Sequence, residues 1–217
     1  MASVVPDAGA TRREARRAQR QDLSRTQLLD AAEEVFGRKG FHETTLKEVA
    51  ELAGFSVGSV YSFFENKDDL FRQVYLRRGD EFMPAMRELI GSKDPAIDVL
   101  HRVVTFQVQF FRDHPHFGRL YLWHSGHVLG SEVSASFDEA ILANFEEALA
   151  LQSKLFARGQ RAGQFRRGDP AVLSRMFSGL VAAYQGMDPA VTSDDPEPAE
   201  RFPLDDLHDL VTRAFTA

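Results

Sequence analysis

TTLKEVAELAGFSVGSVYSFFENKDDL, residues 44–70, holds the signals for two short helices joined by a tight turn. Thr45 followed three residues later by Glu48 is a capping-box pattern, in which side chains satisfy the orphan N–H groups of a helix's first turn. Gly54 ends that helix, because only glycine takes a positive φ without a steric penalty. Ser56 caps a further helix running through Phe64, and Asn66 precedes a fourth that starts at Lys67. Ala50 is small enough for a helix crossing and Val60 pins the second helix, at spacings of four and six residues about Gly54. The pattern is that of a helix-turn-helix, although an ordinary helical hairpin is built from the same residue types.

Working outward, Leu28, Leu29, Ala32, Val35 and Phe36 recur at helical spacing from about Leu23, with Gly40 as the stop. Upstream, Arg12, Arg13, Arg16, Arg17, Arg20 and Arg25 face only Glu14 and Asp22. Residues 1–22 are therefore expected to form a disordered basic arm, either a solvated tail or a DNA contact. Downstream, the fourth helix continues toward Ile90 with a bend expected at Pro84. Further helices are expected from Asp94-Pro95 to Asp113, over 116–124, from about Ser134 to Arg161, from Asp169-Pro170 to Gln185, and over 204–215. An acidic, proline-rich loop is expected over 188–203. No strand pattern or repeat is visible. The fold class is all-α, with a helix-turn-helix domain over 23–70 and a larger helical domain over 71–217.

Composition narrows the chemistry. The chain has 217 residues, no cysteine and a net charge of −6, with 43% hydrophobic residues. It has enough apolar content to fold, and thiolate chemistry, disulfides and iron–sulfur clusters are excluded. No apolar run is long enough to cross a bilayer and no signal-peptide core is present, so the cytoplasm is the expected compartment, with no membrane partner. Residues 79–217 carry 13 Lys and Arg against 20 Asp and Glu, so the acidity sits away from the basic arm.

Residues 24–71 resemble the N-terminal domain of the tetracycline-repressor (TetR) family of transcription regulators. The resemblance lies in Phe36 to Gly40-Phe41, in Thr44-Thr45, in the helix-turn-helix and in Tyr61, Phe64, Lys67 and Leu70 at the family's spacing. It implies a homodimer on a pseudo-palindromic double-stranded operator, most often a repressor, released by a small apolar or amphipathic effector. Carried over residue by residue, it implies that Val57, Gly58, Ser59, Ser62 and Phe63 face the major groove and that Tyr61 reaches a phosphate. Thr44, Thr45 and Lys67 are implied to touch phosphates at helix starts. Ser62 and Phe63 depart from the family's commonest residues, and Phe63 is either an apolar base contact or a packing residue.

Beyond residue 79, aromatic residues recur at helical spacing. The resemblance implies a cavity among them, with candidate lining residues Phe82, Met86, Phe106, Gln107, Phe110, Tyr121, Trp123, His124, His127, Phe145, Phe177 and Tyr184, and Asn144 as a further polar handle. The helix over 170–185 and the last helix offer apolar faces suited to pairing with a second copy. Met176, Gly179, Leu180, Ala183, Leu207, Leu210, Val211 and Ala214 are the expected interface residues. His114, His116, His124 and His127 are close in sequence, and read either as a metal site or as loop and capping histidines. Two other functions stay open, a metal-dependent helical enzyme and a helical ligand-binding module without specific DNA binding. The expectation is no enzyme, no cofactor and no metal.

Overall fold

The computed structural model describes residues 8–128, 139–193 and 202–217, with side chains described over 13–123 in the first of these spans. The expected helix start near Ser134 and residues 194–201 of the expected acidic loop lie outside the described residues. Those described form ten helices and no strand: α1 (Ala8–Glu43), α2 (Leu46–Ala53), α3 (Val57–Tyr61), α4 (Lys67–Gly91), α5 (Ala96–Asp113), α6 (Pro115–Val128), α7 (Glu139–Arg161), α8 (Pro170–Met187), α9 (Pro189–Thr192) and α10 (Leu204–Phe215). They divide into two compact units, residues 1–73 and 74–217, so α4 gives its first two turns to the first unit and the rest to the second.

In the first unit, Leu28, Leu29, Ala32 and Phe36 of α1 are buried together with Val49, Ala50, Val60, Phe64 and Leu70. The rings of Phe36, Phe41 and Phe71 meet there, edge-on wherever Phe71 is involved. Gly40, at φ 77° and ψ 172°, interrupts the helical backbone of α1, as expected of the stop residue, and a last short turn follows to Glu43. The start of α1 differs from the expectation. Helix extends back to Ala8 through the segment assigned to a disordered arm. Its Ala, Arg and Gln content favours helix even with no apolar face to bury.

In the second unit, the core joins Met86 of α4, Val99, Leu100, Val103 and Val104 of α5, Leu155 and Phe156 of α7, Phe177 and Val181 of α8, and Leu207, Val211 and Phe215 of α10. Phe165, in the turn after α7, lies against Phe156 with the rings tilted at 47° and forms an isolated bridge with Thr216. Gly159 makes this possible, because a Cβ there would lie 2.1 Å from the Phe165 ring. Gln164 in the same turn accepts the N–H of Ala96 at 2.7 Å. Asp94 does not cap α5; it pairs with Arg102 and Ser92 instead. Pro84 lies inside α4 without ending it. The expected acidic loop opens instead with α9, capped by Asp188 through the N–H of Ala190.

Candidate nucleic-acid interface and internal cavity

Helix α2 is fixed at both ends by local chemistry. The Thr45 hydroxyl accepts the N–H of Glu48 at 3.3 Å, and the Glu48 carboxylate accepts the N–H of Thr45 at 3.0 Å. Lys39 also bonds to Glu48. The Lys39 ammonium first, and then the Thr45 hydroxyl and N–H, hold the Glu48 carboxyl down to about 2. At the far end Gly54 has φ +73°, and the N–H of Phe55 reaches back to the Ala50 carbonyl at 2.8 Å, so the orphan carbonyls of α2 are met. Ser56 then caps α3 through the N–H of Ser59 at 3.1 Å.

Val60 and Phe64 point inward, as expected of core residues. On the open face of α3 lie Val57, Gly58, Tyr61 and Ser62. Tyr61 is 57% exposed, and its hydroxyl has no hydrogen-bond partner among the described residues. The other hydroxyls of this region are engaged locally: Ser59 with Ser56, and Ser62 as a donor to the Ser59 carbonyl at 2.6 Å. Phe63 is half-buried, with its ring 6.4 Å from that of Phe64.

Two residues expected to touch phosphates make hydrogen bonds within the chain. Thr44 is buried and donates its hydroxyl to the Gly40 carbonyl at 2.7 Å. Lys67 places its ammonium over the Phe41 ring and donates to the carbonyls of Phe41, His42 and Thr44 at 2.9, 3.3 and 3.0 Å. An ammonium has three protons, so this one closes the end of α1. These partners lie 23 to 26 residues away in sequence, and motif spacing holds no signal for them.

The second unit contains a cavity of about 130 Å³ between α4, α5, α6, α7 and α8. Of the expected lining residues, Phe82, Gln107, Tyr121 and Phe145 line it, as does the further polar handle Asn144. Met86 and Phe177 are packed in the solid core, and Phe106, Phe110 and Tyr184 lie outside the lining; Trp123 is half-exposed on α6. The side chains of His124 and His127 lie outside the described residues. The sequence reading missed Tyr75, Arg78, Gly79, Met83, Phe111, Phe117, Gln152, Arg175, Ser178 and Gln185. Arg78 and Gly79 stand one turn before Phe82, Phe111 one turn after Gln107 and Phe117 one turn before Tyr121, and for these four that spacing was the signal available. Burial pushes Tyr121 up to about 12, so its hydroxyl stays a donor at neutral pH.

Of the expected interface residues, Met176, Ala183 and Leu210 are exposed and Gly179, Leu180 and Ala214 are half-buried. Leu207 and Val211 are buried within the protomer, and their place in an interface is corrected to the core. Exposed Val172 extends the apolar face of α8. Among the described residues no helix is long and apolar enough to cross a membrane. No group of three or more His, Cys, Asp or Glu side chains converges there as metal ligands would.

Residues 28–74 match the family model described as bacterial regulatory proteins, tetR family. Among relatives, the fatty acid metabolism regulator protein of Bacillus subtilis is 32% identical over 79 residues, 36% of this chain and 41% of that protein. For it and two further relatives from that organism, the match spans less than half of the relative's length. Among solved structures, the ketosteroid transcriptional regulator KstR2 of Mycobacterium tuberculosis superposes with a TM-score of 0.73 at 18% identity, covering 89% of this chain and 95% of that one. The transcriptional regulator FadR of Bacillus subtilis in complex with stearoyl-CoA gives 0.64 at 20% identity, covering 87% and 95%. These likenesses show a shared fold.

Proposed function

We propose, for a chain that belongs to the tetR family of bacterial regulatory proteins through residues 28–74, that it is a repressor binding a pseudo-palindromic operator as a homodimer and released by a small ligand held in the second unit. The observation that carries this reading is the α2–turn–α3 unit. Its helices are capped by Thr45, Gly54 and Ser56, and Val57, Gly58, Tyr61 and Ser62 stand on a free face. Short side chains allow a helix to sit deep in the major groove, where base edges are read, and the Tyr61 hydroxyl is suited to a phosphate oxygen. Ser59 and Phe63 lie on the margin of this face, and Thr45 offers the first turn of α2.

The ligand reading rests on α4. Tyr75, Arg78, Gly79, Phe82 and Met83 of this helix line the cavity, and the same helix begins at Lys67 in the DNA-binding unit. A ligand that prefers one placement of α4 shifts the population of DNA-competent dimers by that difference in affinity. Pairing of two copies through Met176, Gly179, Leu180, Ala183 and Leu210 covers an apolar face that otherwise meets water.

Selection of bound sequences from random duplex DNA tests the reading. The expected result is enrichment of an inverted repeat, with half-sites separated by a multiple of about 10 base pairs. Recovery of random sequence would overturn it, and retained dimerisation would then favour a ligand-binding module.

A further inference from the structure

We propose that the cavity takes an acid, one carboxylate on an apolar body of about a single ring, with Arg175 as the anchor for the charge. This rests on the reading of the cavity as the effector site.

Size comes first. A cavity of about 130 Å³ is close to the roughly 150 Å³ that holds a benzene molecule in an engineered protein core. The wall facing such a body is aromatic and aliphatic, with Phe82, Phe111, Tyr121, Ile141 and Phe145 among its residues.

The charge on the wall has one sign. Arg78 and Arg175 line the cavity, and none of the lining residues is Asp or Glu. Arg78 is nearly buried and its guanidinium meets Glu81, an exposed carboxylate outside the lining, at 2.7 Å. Arg175 is exposed, which puts it at the opening, and it has no hydrogen bond or ion pair among the described residues.

The polar groups on the wall separate into satisfied and unsatisfied ones. Ser178 donates to Gln152 at 2.6 Å, and Gln185 donates to the Gln107 carbonyl at 3.0 Å, so these pairs make few demands on a ligand. Arg175, the Asn144 amide and the Tyr121 hydroxyl have no hydrogen-bond partner among the described residues, and each can donate. The Asn144 amide sits directly over Gly79, where a Cβ would come within 2.4 Å of its nitrogen. A wall with spare donors and a net positive charge favours an acceptor-only head, and a carboxylate is the head that a guanidinium fork fits. A cation is disfavoured by the arginines, and an alcohol brings neither the opposite charge nor the second oxygen of a bidentate pair.

Calorimetric titration of the full-length protein with phenylacetate, 2-phenylethanol and 2-phenylethylamine tests this. These probes share a ring and differ in head charge. Phenylacetate is expected to bind about tenfold or more tighter than the alcohol, which forms neither the ion pair nor the second hydrogen bond of the guanidinium fork, and the amine weakest. Arg175→Gln, at an exposed position that should not disturb folding, is expected to bring the ratio of acid to alcohol affinity close to one while leaving the alcohol unchanged. Equal wild-type binding of acid and alcohol, or a ratio unmoved by Arg175→Gln, overturns the proposal. Failure of all three to bind, with the operator still bound, overturns the size assignment and leaves the DNA reading intact. Acid binding that leaves operator affinity unchanged keeps the acid site and overturns its regulatory role.

Discussion

Arg112 and Asp188 form an ion pair at 2.7 Å in which the carboxylate is fully buried and the guanidinium is 15% exposed. The pair joins the end of α5 to the junction of α8 and α9. Arg112 also donates to the Phe202 carbonyl at 3.1 Å, and Tyr184 donates to the same carbonyl at 2.6 Å. Asp188 meanwhile caps α9. The ion pair thus ties three chain segments together, and the energetics follow from the burial of its carboxylate. Arg112→Met leaves a buried charge without its partner, at a cost of about 3–5 kcal/mol. Arg112→Met combined with Asp188→Asn removes the charge and keeps a cap acceptor, so it should recover a good part of that loss. Denaturant unfolding followed by the fluorescence of Trp123, the only tryptophan, measures both; a double variant no more stable than the single one would deny the charge its role.

Lys67 and Tyr61 are expected to separate when tested side by side. Lys67→Met removes three bonds to backbone carbonyls and should lower the stability of the first unit by about 1–3 kcal/mol. It weakens DNA binding only through that loss. Tyr61→Phe should leave the melting temperature unchanged, because the hydroxyl has no partner to lose, while weakening operator and scrambled duplexes to a similar extent. Melting curves with binding isotherms on both duplexes decide this, and an unaltered affinity for Tyr61→Phe on either duplex would remove the phosphate assignment.

These two residues also show which parts of the molecule were legible in the sequence. Thr45, Glu48, Gly54 and Ser56 work through neighbours three or four residues away, so spacing alone announced the helices and turn that they delimit. Lys67 depends on the end of α1 lying against it, 23 to 26 residues away in sequence, which no local pattern encodes. The cavity divides in the same way. Aromatic periodicity on α4 to α8 marks which residues face inward, but Phe82 meets a void where Phe177 meets packed neighbours, and that depends on how helices cross. Arg78 and Arg175 were missed because a charged residue on an amphipathic helix reads as solvent-facing, when here each stands at the edge of a void. The start of α1 was missed for the opposite reason, since its helix has no apolar stripe to reveal it.

The exposed apolar face predicts the oligomer. Met176→Glu and Leu210→Asp change surface residues of the protomer, and each should give a folded monomer that loses operator binding, because a charge in a packed apolar contact is costly unless paired. Leu207→Ala acts inside the protomer instead and should cost about 2–5 kcal/mol without a selective effect on association. Sedimentation equilibrium on the three proteins distinguishes these effects. Unchanged dimers for both charged variants would place the interface elsewhere.

His208 gives α10 a pH dependence. Its ring lies 5.0 Å from that of His101, and its Nε2 pairs with the Thr105 hydroxyl at 3.0 Å. Burial first, and then the neighbouring His101, lower its pKa, with Asp205 opposing them. The folded protein therefore holds His208 neutral at a pH where the unfolded chain already takes up a proton. The resulting stability is fully present above the unfolded value of about 6.5. It is lost as pH falls from there toward the lower folded value. Unfolding free energies between pH 7.5 and 5.5 should decline in the wild type and decline less in His208→Gln. Parallel profiles for the two proteins would show that the pair carries no linkage.

The helical start of α1 sharpens the role of the basic segment. Arg13, Arg16, Arg17 and Arg20 are spaced at i, i+3, i+4 and i+7, so in a helix they share one face, with Glu14 and Asp22 turned away from it. All of these residues are exposed. In a chain of net charge −6, this face is the dense positive surface available to meet a polyanion, and it is expected to supply affinity that does not depend on sequence. Each phosphate contact adds about 0.9 to the slope of log affinity against log salt, so removing residues 1–20 should flatten that slope by about 2 to 4. The ratio of operator to scrambled affinity should change much less. Ala15→Pro keeps every arginine and breaks the helix that aligns them, so its slope should fall between those of the wild type and the deletion. Salt titrations of the three proteins on both duplexes measure this. A slope unaltered by the deletion makes the segment a solvated extension, while a slope altered by the deletion and not by Ala15→Pro makes it an arm whose charge matters and whose helix does not.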